Sequence, residues 1–208
     1  MGVGADNLMG TKLRCELTSW NRPDQWARQL AINIRASGFK ADVIVAIARG
    51  GYVPARILCD FLNIYKLASI RIVHYGAGGR MKKSARLSSP LNVDVGGLQV
   101  LVVDDLIDTG LTLRIALDHI RNCGAAEVKS AALLYKKGAV CEPNYYIRKI
   151  IKWRWIIFPL AGMEDLSEFI RRMEVMPVTP QEAEAKIKKE YSVKVPRKIL
   201  EDVYRLMK

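Results

Sequence analysis

The sequence predicts an α/β fold: an open, mainly parallel sheet with helices on both faces and a small C-terminal helical appendage. Short apolar runs rich in β-branched residues alternate with helical patterns between residues 42 and 158, and glycine- or aspartate-rich turns join the strand ends to the helices. After Pro159 only helical patterns follow. We therefore expect one domain over residues 1–165 and a helical extension over residues 166–208.

The first elements form a strand, a glycine loop and a helix. Before them, residues 19–37 place apolar side chains such as Leu30 and Ile34 at helical spacing, with Gly38 as the C-cap. The run DVIVAIA at residues 42–48 predicts a buried strand, which ends in an Arg-Gly-Gly turn before the helical pattern VPARILCDFL.

The middle of the chain repeats this order. Residues 69–75 predict a strand, and the polar, basic, glycine-rich stretch at 76–97 predicts a loop. Residues 98–103 predict a strand that runs into an acidic turn and a helix. Further strands are expected at 128–135 and 153–158, the last one after a basic and aromatic connection.

The C-terminal extension reads as three helices. One covers MEDLSEFIRRM, and the next opens with Thr179 as N-cap, Pro180 in the first turn and Glu182 completing a capping box. A last helix follows Pro196. Because short amphipathic helices are marginally stable alone, we expect their apolar faces to pack on the rest of the protein and stabilise it. A lid or a partner-binding role is the alternative.

Composition limits the classes of function. The chain has 208 residues and no apolar run long enough for a membrane span, and its four cysteines form no CxxC pair, so we expect free thiols in a reducing cytoplasm. The net charge of +12 raises nucleic acid as a partner. A positive cleft for a small polyanionic substrate is the interpretation we favour, because no nucleic-acid motif accompanies the charge.

The segment VLVVDDLIDTGLT at residues 100–112 carries the most chemical information. An apolar strand delivers two adjacent carboxylates, Asp104 and Asp105, at its C-terminal end, where open α/β sheets bind ligands. The backbone N–H groups from Asp108 to Thr112 suit a monoester phosphate at a helix N-terminus. The acidic pair suits a ribose diol or Mg²⁺.

This segment resembles the signature of the type I phosphoribosyltransferase family. The resemblance implies an enzyme that binds 5-phosphoribosyl-1-pyrophosphate (PRPP) with Mg²⁺ and transfers the phosphoribosyl group to a base, giving a nucleoside monophosphate and pyrophosphate. It implies that Asp104 and Asp105 meet Mg²⁺ through PRPP. The residues expected to bind PRPP are Arg49, Gly50, Gly51, Asp104, Asp105, Asp108, Thr109, Gly110, Leu111 and Thr112.

Two further segments fit this resemblance. The Arg49-Gly50-Gly51 turn lies where the family places its pyrophosphate loop, although by itself it is equally compatible with an ordinary tight turn. Residues 76–97 lie where the family carries a mobile catalytic loop that excludes water. Its candidate pyrophosphate ligands are Arg80, Lys82, Lys83 and Arg86, for which a solvated basic loop is the alternative.

The base is expected to be a purine. Asp108 would face it as general acid or base, and the sequence resembles the 6-oxopurine branch, which uses hypoxanthine, guanine or xanthine. In that branch a lysine at a strand end donates to the purine O6, and an aromatic hood residue stacks on the base. The candidate base contacts are Lys136, Lys137, Trp155 and Ile156. The alternatives are solvated charges at a strand end for the two lysines and ordinary core packing for Trp155.

Two alternative functions stay open, one an enzyme and the other a regulator. Pro159 is followed by Leu-Ala-Gly where the microbial 6-oxopurine enzymes often have Trp and an acidic residue, so an adenine enzyme on the same frame is the first. A regulator that kept the fold but senses nucleotides or binds RNA is the second. The resemblance also implies a homodimer or a higher oligomer.

Overall fold

The computed structural model describes residues 13–75 and 81–207. In chain order its elements are β1 Cys15–Leu17, α1 Asn21–Ala36, β2 Val43–Ala48, α2 Tyr52–Leu62, β3 Leu67–Tyr75, β4 Met81–Ser89, β5 Gln99–Ile107, α3 Leu111–Asn122, β6 Glu127–Lys136, β7 Tyr145–Ile150, β8 Trp155–Ile157, α4 Gly162–Arg171, α5 Pro180–Tyr191 and α6 Arg197–Leu206. None of the helices among these residues is long and apolar enough to cross a membrane.

The principal sheet has six strands in the order β4-β3-β2-β5-β6-β7. Every neighbouring pair is parallel except β3 and β4, which are antiparallel. Helices α1 and α2 pack on one face of this sheet and α3 packs on the other. The predicted α/β fold is thus confirmed, and the carboxyl ends of β2, β3, β5 and β6 meet at one edge.

The prediction of a loop over residues 76–97 is wrong for its central part, which forms β4. A short alternation of apolar and polar residues indicates this strand: Ala85 and Leu87 pack against the core on the α3 face, while Arg86 and Ser88 are exposed. The basic and aromatic connection before Trp153 also contains a strand, β7. Its polar sequence fits its place at the edge of the sheet, where β6 is its only partner strand among the described residues.

A second, two-stranded sheet pairs β1 with β8 in parallel. The strand predicted at 153–158 is therefore shorter than expected and lies outside the principal sheet. Cys15 and Ile157 from these strands share a third apolar core with the tail. The tail contributes Leu166, Phe169, Ile170, Met173, Ala183, Ile187, Val193, Val195, Leu200 and Val203. Helix α4 runs across the boundary predicted between residues 165 and 166.

Local capping agrees with the prediction for α5 and differs from it for α1. The Thr179 side chain accepts a hydrogen bond from the Glu182 backbone N–H at 3.2 Å, and the Glu182 carboxylate accepts one from the Val178 N–H at 3.0 Å. The C-cap of the first helix is Ser37 and not Gly38 as predicted; Gly38 follows it with a φ of 78°. The four cysteines, all of which lie in the described part of the chain, are free thiols.

Candidate active site

A cavity of about 740 Å³ opens at the carboxyl edge of the principal sheet. We call it the main cavity. The turn after β2, the end of β5, the start of α3 and the segment before α4 line it. From the predicted PRPP set it collects Arg49, Gly50, Asp104, Asp105, Asp108, Thr109, Gly110 and Thr112.

The acidic pair lies within β5, whose last residue is Ile107 and not Val103 as predicted. The Asp104 carboxylate accepts a hydrogen bond from the Asp105 N–H at 2.9 Å, and the Asp105 carboxylate accepts one from the Leu106 N–H at 2.7 Å. Burial, and then the neighbouring Asp105 charge, raise the pKa of Asp104 well above its usual range. Burial also raises the pKa of Asp105. A cation or a pair of ribose hydroxyls at this point would stabilise the charged forms.

The two carboxylates fit Mg²⁺ only in company with a ligand. Within the described residues no group of three or more His, Cys, Asp or Glu side chains is arranged to hold a metal ion. Mg²⁺ takes few protein carboxylates and completes its octahedron with water and substrate phosphates. Asp104 and Asp105 line the main cavity together and leave those positions to the ligand.

The turn after β2 approaches the acidic pair closely. A methyl carbon at Gly50 would lie 2.5 Å from the Asp105 Oδ1 atom, so only glycine fits there without displacing the carboxylate. Gly51 is buried under the turn and does not line the cavity. The Ala48–Arg49 peptide bond is cis. The Arg49 guanidinium forms an ion pair with the Glu164 carboxylate from the first turn of α4, and both side chains are largely exposed.

The residues of the predicted phosphate cradle lie at the start of α3. Its N-cap residue, Gly110, has a φ of 82° and no side chain to cap the first turn. The Thr109 hydroxyl accepts a hydrogen bond from the Leu111 N–H at 3.4 Å. Thr112 lines the cavity, whereas Leu111 is exposed and does not. The open N–H groups and the helix dipole at this turn suit an anion.

Asp108 is paired with Lys136. The lysine Nζ atom lies 2.9 Å from the Asp108 Oδ2 atom, and only 3% of the lysine side chain is exposed. The same ammonium lies 4.3 Å from the ring centroid of Trp153 and 5.8 Å from that of Trp155. Burial lowers the pKa of Lys136, and the Asp108 carboxylate partly offsets this effect. Lys137, by contrast, is exposed beside it.

The predicted hood residues, Trp155 and Ile156, do not line the main cavity. Ile156 is buried in the apolar core on the α1 face, and Trp155 packs against the third core with the tail. The Trp155 side chain lies close to Asp165, a residue of α4 that is 6% exposed. Burial raises the pKa of Asp165 to about 7, the nearby Trp155 indole opposes this shift, and the Glu164 and Asp105 charges add to it.

The predicted loop cations are described only in part. Arg80 and the side chains of Lys82 and Lys83 lie outside the described residues. Arg86 is exposed on β4, where it pairs with Val73 of β3.

Sequence reasoning missed several residues of the site. Glu164, Arg71 and Tyr52 line the main cavity, and Trp153 lies against Lys136. Arg71 could have been found, because it interrupts an apolar strand that points toward the site. Glu164 had no such signal, since its role depends on how α4 folds back toward the turn after β2.

Comparisons with known proteins agree on one family. The family model described as "Phosphoribosyl transferase domain" matches residues 16–162. A xanthine-guanine phosphoribosyltransferase from Gluconobacter oxydans is 26% identical over 141 residues, which cover 68% of this chain and 81% of that protein. One from Roseobacter denitrificans is 29% identical over 149 residues, with 68% and 82% covered. The crystal structure of a purine phosphoribosyltransferase from Pyrococcus horikoshii matches with 32% identity and a TM-score of 0.61, covering 71% of this chain and 94% of that one.

Proposed function

Since this chain belongs to the phosphoribosyl transferase domain family, we propose that it transfers the 5-phosphoribosyl group of PRPP to a 6-oxopurine, giving a nucleoside monophosphate and pyrophosphate. The relatives named for xanthine and guanine, and the purine enzyme from Pyrococcus, support the choice of a purine.

The observation that carries the base class is the buried Lys136 ammonium, which does not line the main cavity itself but forms an ion pair with Asp108, which does. An ammonium group only donates hydrogen bonds, so it pairs with the O6 of hypoxanthine, guanine or xanthine and not with the amino group of adenine. The ion pair with Asp108 engages one of the three N–H donors of this buried group, so a base without an acceptor leaves a buried donor unsatisfied and loses binding energy. Lys137 is exposed, so we assign this role to Lys136 alone.

The PRPP half of the site would use three surfaces of the main cavity. The first turn of α3 would receive the 5-phosphate through its backbone N–H groups. Asp104 and Asp105 would receive the ribose hydroxyls and Mg²⁺, which when bound neutralises charge on the pyrophosphate. The Gly50 amide and Arg49 would hold the pyrophosphate itself, with bidentate hydrogen bonds from the guanidinium.

The chemistry needs no protein nucleophile. The anomeric C–O bond breaks with positive charge developing on the ribose and negative charge on the leaving pyrophosphate, so donors placed around the pyrophosphate stabilise the transition state. Asp108 would accept the proton that the base loses as it forms the new C–N bond, acting as general base. The Lys136 ammonium beside it compensates the charge of this carboxylate.

Arg49 must leave Glu164 to bind pyrophosphate in this scheme. The exposed ion pair is weak, so it would delay binding only slightly.

The test is a panel assay of adenine, hypoxanthine, guanine and xanthine, each with PRPP and Mg²⁺. We expect PRPP-dependent release of pyrophosphate with at least one 6-oxopurine. Release with adenine alone would contradict the proposed base, and no release with any base would contradict the proposed reaction.

We also propose that the protein works as a homodimer or a higher oligomer, as the family resemblance implies. Light scattering at micromolar concentration is the measurement. A fully active monomer of 23.4 kDa would contradict this proposal.

A further inference from the structure

A second cavity of about 370 Å³ adjoins the main cavity on the side of β3. The two cavities share Ala48, Arg49, Tyr52 and Arg71, so they meet along this wall. The polar side chains that line the second cavity are those of Arg49, Tyr52, Ser69, Arg71, Ser89 and Asn92. These groups are two guanidinium ions, three hydroxyls and one amide.

The second cavity has no negative lining among the residues that the structure describes. The charged residues in the sequence around it are also all positive. Between Asp60 and Asp94 the chain carries six Lys or Arg residues and no Asp or Glu. A cavity of this kind attracts anions. Of its two cations, Arg49 pairs with Glu164 of the main cavity, whereas Arg71 has no ion-pair partner among the described residues.

Arg71 is the central cation of this cavity. It is exposed, and no ion pair joins its guanidinium to any other residue in the described part of the chain. Its backbone is held, because the Ser88 hydroxyl donates a hydrogen bond to the Arg71 carbonyl at 3.2 Å. The pairing of β3 with β4 shifts register between Arg71 and Ile72. Such bulges redirect a side chain, and they are frequent next to binding sites.

Hydroxyl groups complete the donor set. The Tyr52 hydroxyl and the Ser69 hydroxyl are hydrogen-bonded at 3.2 Å, which uses one of their two protons and leaves the other free to donate. Ser69 and Arg71 are two positions apart on β3, so their side chains lie on the same face of the strand. Neutral hydroxyls and planar guanidinium groups are the usual donors to phosphate oxygens.

We propose that the second cavity is an additional anion subsite, which binds a further phosphate group next to the one held at Arg49 in the main cavity. The ligand class is a chain of three or more linked phosphates, either free or at the end of a nucleotide. Such a chain would span Arg49 and Arg71 and would exclude PRPP from the main cavity. The inference rests on the proposed function only for the assignment of pyrophosphate to Arg49.

The test uses two variants with the same change of charge. Asn92→Asp adds a carboxylate to the second cavity, and Asn92 does not line the main cavity. Asn122→Asp adds one at the C-terminal end of α3, and Asn122 lines neither cavity. Calorimetric titration of the full chain without purine or Mg²⁺ gives the Kd of pyrophosphate, tripolyphosphate and adenosine triphosphate for each protein.

We expect Asn92→Asp to weaken the binding of tripolyphosphate or of the nucleotide about tenfold, and the binding of pyrophosphate less than about twofold, because the added charge faces only the third phosphate. Whether tripolyphosphate or the nucleotide loses affinity shows whether the bound phosphate chain is free or part of a nucleotide. Equal weakening of pyrophosphate and the longer anions would overturn the proposal. So would equal effects of Asn92→Asp and Asn122→Asp, because general charge would then explain the binding. These titrations need no turnover, so their outcome is independent of the panel assay.

Discussion

The buried ammonium of Lys136 and the partly buried carboxylate of Asp108 form an ion pair, with 2.9 Å between Nζ and Oδ2, at the ends of neighbouring strands. If the ammonium donates to the base, Lys136→Met should lower kcat/KM for 6-oxopurines by about 10²-fold, because a buried polar contact is lost. Lys137→Met is the matched control, since it removes the same charge from the exposed neighbour. Initial rates with saturating PRPP measure both. Similar losses in the two variants would remove Lys136 from the base site.

The acidic pair gives a second prediction. The double variant Asp104→Asn and Asp105→Asn should lose more than about 10²-fold in turnover, because the ribose and Mg²⁺ lose their oxygen ligands. Its melting temperature should not fall, since burial already disfavours both charges. Asp118→Asn, on the exposed side of α3, should leave the rate unchanged. Near-normal turnover in the double variant would show that the pair is structural.

The fold was largely predictable from the sequence, and so was the gathering of the predicted PRPP residues at one edge of the sheet. Asp104 and Asp105 follow an apolar strand, and Gly110 precedes a helix, so the local pattern already gives their placement. The base side depended on long-range packing. Lys136 and Lys137 are adjacent in sequence, and only the position of β6 between β5 and β7 decides that Lys136 is buried. Strand β1 has three residues and pairs only with β8, so it carried no periodic signal.

Asp165 should make stability depend on pH. Its pKa is about 7 in the folded protein against an ordinary value of 3.8, so the folded state binds the proton more tightly than the unfolded state. The stability that protonated Asp165 contributes is therefore complete below pH 3.8 and is lost as the pH rises toward 7.

An asparagine at this position does not titrate, so the variant Asp165→Asn does not lose this stability as the pH rises. The unfolding free energy of Asp165→Asn relative to that of the wild type should therefore increase by on the order of 2 kcal/mol between pH 5 and pH 8. Chemical denaturation at the two pH values measures the difference. Asp202→Asn, at an exposed position of α6, should show no such trend. If the difference in unfolding free energy between Asp165→Asn and the wild type were the same at both pH values, Asp165 would not titrate in this range.

The ion pair between Arg49 and Glu164 gives a prediction on substrate affinity. Glu164→Gln should lower the KM for PRPP by about two- to fivefold, because Arg49 then has no carboxylate to leave; the effect is small since the pair is exposed. Glu168→Gln breaks a comparable pair with Arg172 farther along α4 and serves as the control. An increase in KM for Glu164→Gln would instead make Glu164 a ligand of the substrate or its metal.

The tail should stabilise the hood through the third core. Leu200 is fully buried there, so Leu200→Ala should cost about 2–5 kcal/mol of unfolding free energy. Leu206 on the same helix is 66% exposed, so Leu206→Ala should cost less than about 0.5 kcal/mol. A chain ending at Asp165 should likewise lose thermal stability before it loses base preference. An altered base preference without a change in melting temperature would place the tail in the active site.

The most direct test of the account is a competition between bases. Adenine, guanine, hypoxanthine and xanthine at equal concentration are incubated with limiting PRPP and Mg²⁺, and the nucleoside monophosphates are separated and quantified. The buried Lys136 donor predicts that the 6-oxopurine nucleotides exceed adenosine monophosphate by at least about tenfold. Adenosine monophosphate as the main product would contradict the account.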